Sequence, residues 1–224
     1  MRKHTWLRWT FVFVINLIPW IYLLSIWNGL PERIPVHFGI DGTPDKYGER
    51  NTIFFIPATC TVVSILVYLL LTNIYKLDPK GWVAKQPGIF LKIAMVIVIF
   101  VSCISIIVLN WTARQQTIGL NLLLVMMGLL LAYVGNIMHS IKPNYFAGFR
   151  LPWTLENEEN WRATHLLGSK IWFAGGILIA ILALFIKPFV MFFVMMGIVL
   201  IMLIIPAVYS YRMFARSKGT RNKL

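Results

Sequence analysis

Asn121–Gly135, NLLLVMMGLLLAYVG, and Gly175–Ile186, GGILIAILALFI, bracket the segment Ile141–His165, IKPNYFAGFRLPWTLENEENWRATH. The two flanks carry no charged residue, whereas the segment between them is polar, aromatic and broken by Pro143 and Pro152. Long uncharged apolar runs are what a bilayer demands of a spanning helix. Backbone that leaves helical geometry near hydrocarbon must pack on protein or line a wet cavity. The pattern therefore predicts membrane helices joined here by an organised segment.

The rest of the chain agrees. Its 224 residues are 58% hydrophobic, with a mean hydropathy of +0.74. Ordinary soluble domains hold roughly 45–50% apolar residues. A soluble core of this size cannot hide the surplus. The formal charge of +13 fits basic residues flanking spans better than nucleic-acid binding, for which no recognition motif is present. Cys60 and Cys103 lie in apolar runs and form neither a disulfide framework nor a metal pair. The apolar run near the start, within MRKHTWLRWTFVFVINLIPWIYLLSIW, is too long for a signal-peptide core and reads as a retained first span.

The expected fold is an all-α integral membrane protein. Its six transmembrane helices run over Thr10–Asn28, Thr52–Asn73, Ile89–Asn110, Thr117–Met138, Ile171–Ile186 and Phe189–Tyr209. Lys187-Pro188 makes the last two a hairpin. Of the 21 Lys and Arg residues, fifteen fall at the termini and in the second and fourth loops, and five in the other loops. Lys92 lies inside the third span. By the positive-inside rule both termini are cytoplasmic. An N-terminal three-span region, 1–110, then carries a folded outer loop at 29–51. A C-terminal three-span region, 111–224, carries a long inner loop at 139–170.

In the outer loop Ile34, Val36, Phe38 and Ile40 alternate with Pro35, His37 and Gly39, and DGTPD follows. A period of two ending in a turn predicts a short extended segment kept to an edge by proline. Pro35, His37, Phe38, Gly42 and Asp45 are the candidates for meeting something from outside. His37 with Asp41 and Asp45 lacks the ligand spacing of a metal site, so no metal is expected.

In the inner loop Tyr133, Asn136 and His139 share a helical face, which should turn toward other helices. A separate short helix is expected over NEENWRATHLLG. Asn157 would be its N-cap, Glu158 and Glu159 would sit at its positive end, and Gly168 would stop it. Trp161 and His165 lie four apart on one face, and Trp161 with Leu166 gives an apolar edge for lying flat at the membrane interface. In the span that follows, Gly176 and Ala180 permit close helix contact. Arg150 can hold lipid phosphate, clamp loop carbonyls or contact a ligand.

The stretch GNIMHSIKPNYFAGFRLPWTLENEENWRATHLLGSKIWFAGG resembles the signature of the SdpI family, membrane immunity proteins against a secreted killing peptide. The matching positions are Asn136, Lys142, Pro143, Asn144, Gly148, Arg150, Pro152, Trp153, Thr154, Leu155, Trp161, Thr164, His165 and Gly168. The outer-loop stretch LPERIPVHFGIDGTPDKYG is similar to the domain of unknown function that usually forms this family's N-terminal part. Phe149 and Leu151 stand where the family more often has Ile and Thr, and Asn160 where an apolar residue is common. The resemblance implies a multi-pass protein of the bacterial cytoplasmic membrane that neutralises or senses a membrane-active peptide, with no catalytic residue and no cofactor. The partners to expect are membrane lipids, the peptide toxin and a cytoplasmic regulator at the inner loop.

Two alternatives stand beside this. A small transporter or flippase would line its path with Asn16, Asn121, Tyr133 and Asn136, although no span contains an acidic residue. An intramembrane enzyme at the inner face would use His139 and His165 with Glu156, Glu158 or Glu159, although no catalytic motif surrounds them.

Overall fold

The computed structural model describes residues 5–39, 43–78, 80–116 and 119–221. The protein is an all-α multi-pass membrane protein, and among the described residues six helices are long and apolar enough to cross a membrane. These are α1 (Thr5–Ile26), α2 (Phe55–Asn73), α3 (Pro87–Arg114), α4 (Leu120–Met138), α6 (Glu158–Leu182) and α7 (Pro188–Arg221). A short helix, α5 (Pro152–Glu156), precedes α6. Strands β1 (Arg33–Phe38) and β2 (Pro44–Glu49) lie between α1 and α2. Helices α3, α5 and α7 each begin at a proline, where the missing N–H costs nothing and the ring presets φ.

The chain divides into two compact units. One comprises Met1–Thr72 and Leu91–Leu123, the other Asn73–Phe90 and Leu124–Leu224.

In the first unit the β-strands form an antiparallel hairpin. Ile34 is 1% exposed and joins Leu23, Leu30, Ile53 and Leu109 in one apolar cluster, which ties the hairpin to the ends of its helices. Cross-strand pairing sets Arg33 opposite Glu49. The alternation expected from sequence is interrupted. The register shifts on both sides of His37, so Pro35 is buried beside Ile34 while Val36 is exposed. Bulges add a residue to one strand and re-aim the side chains that follow.

In the second unit α4 and α6 approach at their backbones. A Cβ built on Gly128 would stand 2.6 Å from the Ala180 nitrogen, and one on Gly176 would overlap the Ala132 backbone. Small residues are what permit such contact in a bilayer, where association depends on close packing. Gly176 and Ala180 thus act as expected. Their partner stripe, Gly128, Ala132 and Gly135, was not singled out from sequence. It makes the buried face of α4. Asn136 and His139 are exposed and Tyr133 is half-buried, so the expected inward face is the wrong one. The glycine stripe wins because only it lets the backbones meet.

The expected short helix ending at Gly168 is also corrected. Glu158–Leu182 is one continuous helix, so the connector ends at Asn157 and the fifth span starts well before Ile171. Gly168 lies within it, where the Phe149 ring and the Met138 sulfur press close. A helix-interior glycine costs roughly 1 kcal/mol, which this packing offsets. The Asn157 cap is as expected: its side chain accepts the Asn160 N–H at 3.0 Å.

Helix α7 is 34 residues long, about 51 Å at 1.5 Å per residue. Hydrocarbon cores are roughly 30 Å thick, so α7 continues past its span.

Candidate functional site

The connector between α4 and α6 is held by side chains that bond its own backbone. Pro143 bars continuation of α4. Immediately before it, the Lys142 N–H donates to Gln86 Oε1 at 2.9 Å, and Gln86 Nε2 donates back to the Lys142 carbonyl at 3.1 Å. Asn144, fully buried, accepts the Phe146 and Ala147 N–H groups at 2.8 Å each. Its amide donates to the Lys142 and Ala147 carbonyls. One side chain thus ties a tight turn, as Asn often does.

Gly148 follows at φ +103°, and a Cβ there would overlap the His165 ring. His165 Nε2 accepts the Phe149 N–H at 3.0 Å while Nδ1 donates to the Trp161 carbonyl at 2.8 Å. The network assigns the neutral Nδ1–H tautomer. The Trp161 ring stacks on His165 with centroids 4.0 Å apart, and its indole N–H donates to the Ile141 carbonyl at 2.7 Å. Trp161 is 1% exposed. It is therefore a buried anchor for the loop, and the expected interfacial placement is corrected. Of the apolar edge visible in the sequence, Trp161 faces protein while Leu166 stays exposed.

Arg150 Nη1 donates to the Tyr145 carbonyl at 2.7 Å. The clamp reading of Arg150 thus has a partner, and its exposed position leaves further donors facing outward. Thr154 accepts the Leu151 N–H at 3.0 Å and donates back to the loop, its hydroxyl 2.6 Å from the Phe149 carbonyl. Pro152 opens α5. Trp153 donates its indole N–H to Ser210 Oγ at 2.6 Å and packs on Tyr211 and Phe214. Ser210 and Asn160 exchange two further hydrogen bonds of 3.0 Å. These contacts fasten α5 and α6 to the far end of α7.

The structure therefore gathers Lys142, Pro143, Asn144, Gly148, Arg150, Pro152, Trp153, Thr154, Trp161 and His165 into one locked segment. Asn136 stays apart, exposed on α4. Of the outer-loop candidates, Pro35, His37, Phe38 and Asp45 lie on the hairpin, and Gly42 lies outside the described residues. His37 Nδ1 lies 2.6 Å from Asp45 Oδ1, with both side chains exposed.

Sequence reasoning missed the second loop's share. Asp78, mostly buried, accepts the Val83 N–H at 2.6 Å and the Lys80 N–H at 3.2 Å. The turn so formed presents Trp82, whose ring lies parallel to Tyr145 at 5.4 Å, with Lys80 Nζ 4.6 Å from the Trp82 ring centre. LDPKGW is a turn signal in its own right, but nothing local shows that the turn reaches Tyr145. The bond between Asn160 and Ser210 was missed for the same reason, the two being fifty residues apart.

Among the described residues no group of three His, Cys, Asp or Glu is placed to hold a metal. Both nitrogens of His165 are taken by the backbone. His139 is exposed, with Ser140 Oγ at 3.1 Å. The arrangement fixes a loop shape and presents cations and aromatic rings on it.

Residues 140–210 match the family model described as the SdpI/YfhL protein family, and residues 14–61 match a domain of unknown function, DUF1648. The first match covers the locked segment, α5, α6 and most of α7, and the second covers the hairpin. The immunity protein SdpI of Bacillus subtilis (strain 168) is 26% identical over 210 residues, which is 93% of this chain and 96% of that protein. An uncharacterized protein of Archaeoglobus fulgidus is 33% identical over 60 residues, 25% of this chain and 33% of its own. No solved structure matches.

Proposed function

Because residues 140–210 match the SdpI/YfhL family model and nearly the whole chain is similar to an immunity protein, we propose that it is an immunity protein that neutralises or senses a secreted, membrane-active antimicrobial peptide. The observation that carries this is near full-length similarity to a protein named for immunity. The bias of Lys and Arg among the loops supports an orientation with both termini cytoplasmic. The hairpin then faces the side from which a peptide arrives, and the locked segment faces the cytoplasm. There a rigid loop can report peptide binding to a cytoplasmic regulator.

Action by binding rather than by catalysis is favoured by His165, whose ring holds the loop and has no free nitrogen for proton transfer. The test is survival. Peptide-sensitive cells expressing the chain are challenged with a panel of secreted membrane-active peptides. Protection against at least one, relative to cells carrying vector alone, is the expected result. Equal killing across the panel contradicts the proposal.

A further inference from the structure

Trp82, Lys142, Pro143, Leu155, Glu156 and Glu158 line a cleft of about 320 Å3. That volume is at the lower end for small-ligand sites, roughly 300–1,000 Å3. Lys142, Glu156 and Glu158 are exposed, and Trp82 is half-buried. Opposite charges sharing a small cleft ordinarily pair. Here, among the described residues, no ion pair joins Lys142 to either glutamate. A second cation, Lys80, lies over the Trp82 ring and is likewise without a carboxylate partner among the described residues. The wall is rigid on both sides, since Gln86 clamps the Lys142 backbone and Asp78 holds the turn that presents Trp82.

A cleft lined by Lys142 and two carboxylates that do not pair with it, with Lys80 on the Trp82 ring beside it, suits a ligand carrying both signs. The cleft is also at the right level. Its loops spring from the ends of α2 and α4 and the starts of α3 and α6, where hydrocarbon gives way to headgroups. We propose that it binds the headgroup of a zwitterionic phospholipid with a primary ammonium, phosphoethanolamine, independently of any immunity role. Lys142 faces the phosphate, and the charge of Lys80, held over the Trp82 ring, adds to its attraction. Glu156 and Glu158 accept hydrogen bonds from the ammonium, beside the π-face of Trp82. A trimethylated ammonium has no N–H to give, so a choline headgroup loses those bonds and keeps only the aromatic contact.

The test uses the full chain, purified and reconstituted in nanodiscs holding phosphatidylethanolamine and phosphatidylcholine in equal amounts, with retained lipid counted by native mass spectrometry. The parent should retain the ethanolamine lipid over the choline lipid about fivefold or more, a ratio set by the charge-assisted hydrogen bonds. Glu156→Gln with Glu158→Gln should bring the ratio close to one, and Lys142→Gln should lower retention of both lipids. Glu159→Gln, outside the cleft lining, should change nothing, which controls for general effects of charge. Equal retention by the parent, or a preference that survives the double glutamine variant, would overturn the proposal. Soluble phosphoethanolamine binding without any lipid preference would assign the cleft to a soluble zwitterion and overturn it as well.

Discussion

Gly148 and His165 compete for one space: at φ +103° the glycine backbone lies so close to the imidazole that a methyl group there would overlap Nε2. The same ring accepts the N–H of Phe149. Glycine is needed twice over, for its conformation and for its missing side chain. Gly148→Ala should destabilise the protein on the order of 3 kcal/mol, from left-handed strain plus overpacking. A lowered melting temperature in detergent is the readout. An unchanged one would mean that the loop and ring separate freely.

Gln86 is the tie between the two loops. Gln86→Leu keeps the bulk but removes both bonds to Lys142, leaving its N–H short of a partner at a cost of roughly 1–3 kcal/mol. Limited proteolysis should then cut faster within 139–157, with cleavage in the hairpin unaffected. Equal rates in both places would show that the clamp does not hold the loop.

Gly176 tests helix contact. Gly176→Val drives a branched side chain into the Ala132 backbone, and overpacking of this kind costs typically 1–3 kcal/mol or more. Loss of monodisperse protein on size-exclusion chromatography is expected for Gly176→Val. Gly197→Val, where nothing lies within 4 Å of a built Cβ, should behave as the parent.

How much of this was legible beforehand follows from where each signal resides. The six spans, the Asn157 cap and the contact at Gly176 are local patterns of apolar length, capping chemistry and small-residue spacing. Those survive folding because the bilayer enforces them. Trp161 was singled out but misplaced, since an apolar edge on a helix looks alike whether it meets lipid or protein. Gly168 reads as a stop because a glycine at a close helix contact and one at a C-cap are the same letter. The ties made by Gln86, Asp78, Asn160 and Ser210 were not legible. Each of the four is a polar residue whose partner lies far away in sequence or in a turn with no periodicity to read.

Orientation has its own test. A reporter active only outside the cytoplasm should work when fused after Tyr47 in the hairpin and stay silent after Glu158, following the fifteen-to-five split of basic residues. The opposite pattern would reverse the roles given to the two loops.

Survival under peptide challenge, with variants matched for membrane abundance, tests the central claim that the locked segment is the working part of a protective membrane protein. Arg150→Lys keeps the charge but gives up the planar fork that reaches the Tyr145 carbonyl while presenting its other donors outward. The predicted result is that the parent protects, Arg150→Lys loses most of that protection, and Arg216→Lys on α7 protects as the parent does. Full protection by Arg150→Lys would contradict the claim and reduce the segment to a connector with ordinary interfacial charges.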